Sequence, residues 1–193
     1  MNIRAWIAGL LGFAAAACAV APGGAPESVP GMRALALRNP GFEEPERPAE
    51  TCPVAWDCSM HNNVDSYRFV GDTANPAAGR RSLCVQQVMP EQWALMTQVI
   101  RDPALQDHRI RLSMLVWRQD GDGPGAGPFV QAFGSRGGLA DAKRLVSRTR
   151  GWERVAVELE VPLAADYLVA GFSQEGGGRS CVDDVRLEVA ESP

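Results

Sequence analysis

The chain has 193 residues, 46% of them hydrophobic, and 19 Lys and Arg against 23 Asp and Glu, a net charge of −4. A mildly acidic balance gives no support for a nucleic-acid binder or for a protein held on an anionic membrane by basic patches. The chain holds 2 histidines, which leaves little material for a histidine base or a His-rich metal site.

The first stretch, 1–17, sets Arg4 ahead of an apolar run that closes in alanines. That is the pattern of a secretory signal peptide, too short to stay in a bilayer as a span. Cys18 ends the run and resembles the lipidated cysteine of the bacterial lipobox, although Ala15 stands where a Leu is common. The alternative is cleavage at an A-x-A site, which gives a soluble secreted protein. Residues 18–34 then form the lipidated Cys and a flexible linker rich in Pro, Gly and Ala. Residues 35–190 are long enough for one core and one domain. The expected location is the bacterial cell envelope, lipid-anchored and facing the periplasm or exterior.

Setting Cys18 aside leaves Cys52, Cys58, Cys84 and Cys181, an even set suited to an oxidising compartment. Cys52 with Cys58 would close a local loop, which leaves Cys84 with Cys181 as a long-range staple. Four cysteines allow three pairings, so this is a preference. It meets a parity conflict. If Leu83 and Val85 face the core, Cys84 faces out, whereas alternation from Asp183 turns Cys181 inward. The two meet only if a β-bulge near Asp183 and Asp184 resets the alternation.

The remaining segments alternate with period two and are punctuated by Pro and Gly. Strand signals fall at 83–85, at 93–100, and at 110–117, where Ile110, Leu112, Met114 and Val116 alternate with Arg111, Ser113, Leu115 and Trp117. Others fall at 129–133 after a glycine-rich loop, at 152–161, at 167–172 and at 181–189. Only 139–146 offers a helical turn or two, with a loop as the equal alternative. Many short strands separated by turns predict an all-β sandwich. No G-x-S-x-G elbow, H-E-x-x-H or phosphate-binding glycine loop occurs, so the chain does not read as an enzyme.

The order of motifs carries a resemblance. N-P-G-F-E-E (39–44) and Trp56 are followed by G-R-R-S-L-C-V (79–85) and I-R-L-S-M-L-V-W (110–117), then R-G-W-E-R-V (150–155) and V-D-D-V-R-L (182–187). The arrangement resembles family 4/9 carbohydrate-binding modules over about 37–189. It implies a single jelly-roll β-sandwich of the galactose-binding-like type. The resemblance also implies a structural Ca²⁺ held by Glu43 and Asp183; the alternative is that these acids pair with Arg80, Arg81 or Arg179, or cap turns. The implied partner is a glycan of the cell wall or envelope. The alternative partner is an envelope protein, with the fold serving as an interaction module without a sugar site. By parity, Trp117 and Arg111 share the face opposite the core, and Gln98 and Gln131 on neighbouring strands complete the expected ligand platform. The competing view has Trp117 half-covered by the 120–128 loop and Arg111 as a solvated charge.

Overall fold

A computed structural model describes residues 29–44 and 52–191. The predicted signal peptide, Cys18 and most of the linker lie outside the described residues. Eleven strands follow in order: β1 (Met32–Leu35), β2 (Asp57–Met60), β3 (Tyr67–Asp72), β4 (Ser82–Gln87), β5 (Trp93–Ile100), β6 (Arg109–Arg118), β7 (Gly125–Gly134), β8 (Gly137–Lys143), β9 (Glu153–Glu160), β10 (Tyr167–Glu175) and β11 (Arg179–Ala190). A 3₁₀ turn, Pro103–Leu105, follows β5. All pairings are antiparallel. One sheet runs β3-β4-β11-β6-β9, with β1 added on β11; the other runs β2-β5-β10-β7-β8. The two pack into a jelly-roll β-sandwich.

Alternation builds the core. Ile110, Leu112, Met114 and Val116 of β6 are fully buried, as are Met96 of β5, Val130 and Ala132 of β7, and Leu168 and Phe172 of β10. Each such aliphatic or aromatic side chain contributes about 1.5–3 kcal/mol of burial. Trp56 is a core residue, packed 5.5 Å from Phe42 and donating its indole N–H to the Asn39 carbonyl. The 139–146 segment is not helical: its first part belongs to β8, an edge strand that turns Ala140 and Ala142 inward against β7. Small alanines fit that half-covered edge, and their low hydrophobicity hid the alternation.

β11 organises the first sheet. β6 runs along one side of it, while the other side is shared end to end by β4, against 179–182, and β1, against 187–190. Between those halves the register against β6 shifts. Asp183 pairs with Leu115 and Arg186 with Ser113, so Asp184 and Val185 together oppose Met114. This is a β-bulge, with Asp184 in the left-handed region at φ 46, a conformation that Asp tolerates better than most residues. Cys181 therefore lies on the outer side, directly across from Cys84, and the two form a disulfide. Cys52 and Cys58 form the second. Val185, Leu187 and Val189 still face the core. The parity expected for Asp183 is corrected: it is buried, but it shares Leu115's outer side and is covered by the 77–78 loop rather than by the core.

Candidate functional site

The two acids expected to hold Ca²⁺ both reach the loop 77–81. Asp183 Oδ2 accepts the backbone N–H groups of Ala77 and Ala78, each at 2.9 Å, and Oδ1 accepts that of Asp184 at 2.7 Å. Glu43 Oε1 accepts the N–H groups of Arg80 at 2.8 Å and Arg81 at 3.2 Å, while Oε2 lies 3.5 Å from Arg80 Nε. A Cβ on Gly79, which sits at φ +62, would fall 2.0 Å from Glu43 Oε1, so the loop approaches the carboxylate as only glycine permits. Burial pushes the Asp183 carboxyl above its ordinary value, against the pull of its three N–H donors. Burial also works to raise Glu43, but there the Arg80 and Arg81 N–H groups prevail and hold it below.

A Ca²⁺ ion takes six to eight oxygens and repels N–H groups. Here the oxygens of both acids face N–H donors, and the arrangement fits turn capping better than a cation cage. Among the described residues the one tight cluster of three metal-ligating groups is Asp72 with Cys84 and Cys181. Both sulfurs there belong to the disulfide, so neither is a thiolate ligand.

The expected ligand platform is not assembled. Alternation from Ala94 and Met96 puts Gln98 on the inner side of β5, where it brackets the Arg38 backbone, donating to O at 2.6 Å and accepting from N at 3.1 Å. Gln131 lies on the outer face of the other sheet, in a row with Val169 and Asp141. Arg111 and Trp117 do share the outer face of the first sheet. Six residues of extended strand set their backbones about 20 Å apart. Arg111 is bound in an ion-pair ladder, 3.2 Å from Glu188 and 3.8 Å from Glu158. A separate cluster on the same sheet joins Arg154 and Arg186 to Asp184. The error came from treating neighbouring strands as one sheet: β5 and β7 belong to the sheet opposite β6.

Trp117, by contrast, walls a recess. It sits across from Cys181 and 6.2 Å from the Trp152 ring. Together with Gln119, Asp120, Gly121, Gly178 and Arg179 it encloses about 220 Å³. Arg179 donates to Asp72 at 2.8 Å. Asp120 and Gly121, at the start of the following loop, border the recess, and Trp117 is half-buried. Recesses of this size lie just below the roughly 300–1,000 Å³ of pockets for drug-sized ligands.

The two loops of the recess are held from beneath by Arg118, the next inward position of β6 after Val116. It is completely buried. Its Nη2 donates to the Asp122 carbonyl at 3.1 Å and the Gly177 carbonyl at 2.7 Å, Nη1 to Ser180 Oγ at 2.7 Å, and Nε to the Ser147 carbonyl at 3.2 Å. Burial lowers its pKa, with the charge of Asp122 opposing. The Gly177 N–H reaches Asp122 Oδ1 at 2.6 Å, locking one loop to the other. Gly121 has no room for a side chain, because a Cβ there would lie 2.2 Å from Arg118 Nη2. Sequence reasoning missed Arg118, Gln119, Asp120 and Arg179. The parity of β6 held the one available signal, an arginine at a core position.

No family model matches the chain, and no curated protein sequence matches it. Solved structures do. The chain is similar to a cyclase from Fischerella sp. TAU, at 14% identity and a TM-score of 0.59 over 84% of this chain and 99% of that one. It is similar to the CBM22-1 xylan-binding domain of Paenibacillus barcinonensis Xyn10C, at 12% identity and a TM-score of 0.56 over 79% and 93%. It also resembles the C-terminal family 22 carbohydrate-binding module of Clostridium thermocellum Xyn10B, at 14% identity and 0.51 over 78% and 90%. At such identities the likeness shows the fold alone: a jelly roll of the kind found in carbohydrate-binding modules. The expected family 4/9 membership is not what these neighbours display.

Proposed function

We propose that this domain is a non-catalytic glycan-binding module that takes a saccharide unit in the recess beside Trp117. One observation carries the reading. An indole wall and three polar side chains, Gln119, Asp120 and Arg179, face one recess whose loops are fixed by a buried arginine. Sugar rings stack their C–H faces on aromatic rings, and their hydroxyls need both donors and acceptors. Arg179 supplies donors, Asp120 acceptors, and Gln119 both. A fixed recess limits the entropy lost on binding. The fold shared with xylan-binding and other carbohydrate-binding modules supports the same assignment.

The cysteines bear on thiolate chemistry alone. Cys52, Cys58, Cys84 and Cys181 are all in disulfides and offer no thiolate. His61 is engaged by Glu91 at 3.1 Å. The competing reading, a protein-interaction module, draws on the outer face of the second sheet, where Val99 is 46% and Leu139 41% exposed. A glycan array with wild type and Trp117→Ala separates the two. Glycan capture lost in the variant supports the recess. Capture of no glycan by the wild type refutes it.

The envelope-lipoprotein assignment belongs to the same proposal. It rests on the 1–18 sequence and on two disulfides that suit an oxidising compartment. Cys18→Ala should move the protein from the membrane fraction to the soluble fraction; retention at the membrane would count against a lipid anchor.

A further inference from the structure

Beside the Trp117 recess lies a wider one of about 900 Å³, sharing Gln119 and Asp120 with it and continuing to Arg148, Thr149, Arg150 and Glu153. Its backbone is fixed. Thr149 N–H donates to the Arg118 carbonyl at 2.6 Å, and Thr149 Oγ1 accepts the Arg118 N–H at 2.8 Å. Arg148 and Arg150 flank this pinned residue and are exposed.

Their state differs from that of five arginines on the strands of this sheet. Arg109, Arg111, Arg154, Arg179 and Arg186 each have a carboxylate partner. Among the described residues neither the Arg148 nor the Arg150 guanidinium has one. Glu153 is taken up locally, its Oε1 accepting the Arg150 N–H at 2.9 Å. Behind them lies Arg118, a buried cation whose four hydrogen bonds go to carbonyls and a hydroxyl rather than to an acid. This end of the sandwich thus holds the Arg148 and Arg150 guanidinium groups with free donors, beside the carboxylates of Asp120 and Glu153 that line the same recess. Asp120 stands at the boundary toward Trp117, where a sugar hydroxyl needs an acceptor.

Resting on the glycan reading above, we infer that the ligand is an acidic oligosaccharide: one unit stacks at Trp117 and a neighbouring uronate carboxylate is read by Arg148 and Arg150. A guanidinium offers paired N–H donors that match a carboxylate, and an exposed arginine keeps its charge at any physiological pH.

The test uses the full-length protein, titrated calorimetrically with an α-1,4-linked galacturonate hexamer and with the same hexamer after reduction of its carboxylates to hydroxymethyl groups. Wild type should prefer the acidic hexamer by about tenfold, two exposed ion pairs being worth up to about that factor together. The preference should shrink as salt rises from low to physiological levels. Arg148→Gln with Arg150→Gln should abolish the preference, leave the affinity for the reduced hexamer unchanged and leave the melting temperature unchanged. Trp117→Ala should weaken binding of both hexamers. Equal wild-type affinity for the two, or a preference that survives in the double variant, overturns the acidic-ligand inference while the glycan reading stands. Binding of neither hexamer overturns this acidic-ligand inference and leaves the glycan reading to the array; Trp117-independent binding removes the recess as the glycan site and this inference with it.

Discussion

Replacing Arg118 with Met separates the two roles of the residue, as core filler and as clasp. Moving a guanidinium out of water costs several kcal/mol even after relaxation. Its four hydrogen bonds return about 1.5–3 kcal/mol each. Together they return about 6–12 kcal/mol, enough to cover the desolvation cost. The consequence lies in what Met leaves behind. Ser180 Oγ and the carbonyls of Ser147, Asp122 and Gly177 all lose a donor together. Buried acceptors without partners cost about 1–3 kcal/mol each, and the two loop carbonyls can recover part of that by turning to water. An expected destabilisation of about 3–5 kcal/mol follows, or a fall in melting temperature of about 10 °C for a domain of this size.

The turn to water is the second readout. Asp122 and Gly177 carry the loops that wall the Trp117 recess, so Arg118→Met should weaken glycan binding under conditions where the variant is still folded. Arg118→Lys keeps the charge but cannot span four acceptors, and it should fall between wild type and Met in both measurements. Thermal melts and titrations on the three proteins check this. A melting temperature of Arg118→Met within about 2 °C of wild type, with an unchanged titration, would refute the clasp.

Two further predictions concern the acids. If Glu43 and Asp183 cap the 77–81 loop through N–H groups alone, EDTA should leave the melting temperature unchanged; a clear drop restored by added Ca²⁺ would reinstate the cation. Asp184 accepts from Arg154 and Arg186. Burial acts to raise its carboxyl, but those arginines prevail and hold it below the ordinary aspartate value. Its folded pKa is thus depressed, so its contribution to stability is full above about pH 4 and is lost as pH falls through the folded value. Urea unfolding from pH 7 to pH 2 should show the gap between wild type and Asp184→Asn closing at the acid end. A constant gap would mean that the ion pairs contribute nothing.

Much of the sandwich was legible because alternation is local. The inward set Ile110, Leu112, Met114 and Val116 of β6 and the inward Val185, Leu187 and Val189 of β11 follow from their residues alone, whereas the bulge reversed the side expected for Asp183; the pairing of Cys84 with Cys181 follows once that bulge is allowed. Strand membership of a sheet is not local. Gln98 and Gln131 were grouped with Trp117 because they sit on strands close in sequence, yet the jelly roll sends β5 and β7 to the opposite sheet. β2 and β3 escaped notice because each is short and mixes polar with apolar residues, as in Tyr67, Arg68, Phe69 and Val70. The recess was half legible. Trp117 was singled out, but its neighbours Asp120 and Arg179 are brought to it by loops separated by more than fifty residues, and no periodicity encodes that meeting.

The bulge at Asp183 and Asp184 is where fold and site depend on each other. Remove one residue there and alternation forces a choice. Either Val185, Leu187 and Val189 keep facing the core and the 179–182 half turns over, or the reverse. In the first case Cys181 turns inward, losing Cys84 as a partner and leaving the floor of the recess, while Ser180 swings away from Arg118. In the second the core loses three buried aliphatic side chains, at about 1.5–3 kcal/mol each. The two aspartates make the extra residue tolerable by separate means. Asp183 ties the bulge to the 77–78 loop, and Asp184 holds its positive φ between two arginines while the next residue, Val185, donates to the Pro40 carbonyl at 3.0 Å. The N-P-G-F-E segment and the D-D-V strand are therefore one structural unit. Its task is to set the phase of β11 so that one half closes the core while the other presents Cys181 and Arg179 beside Trp117.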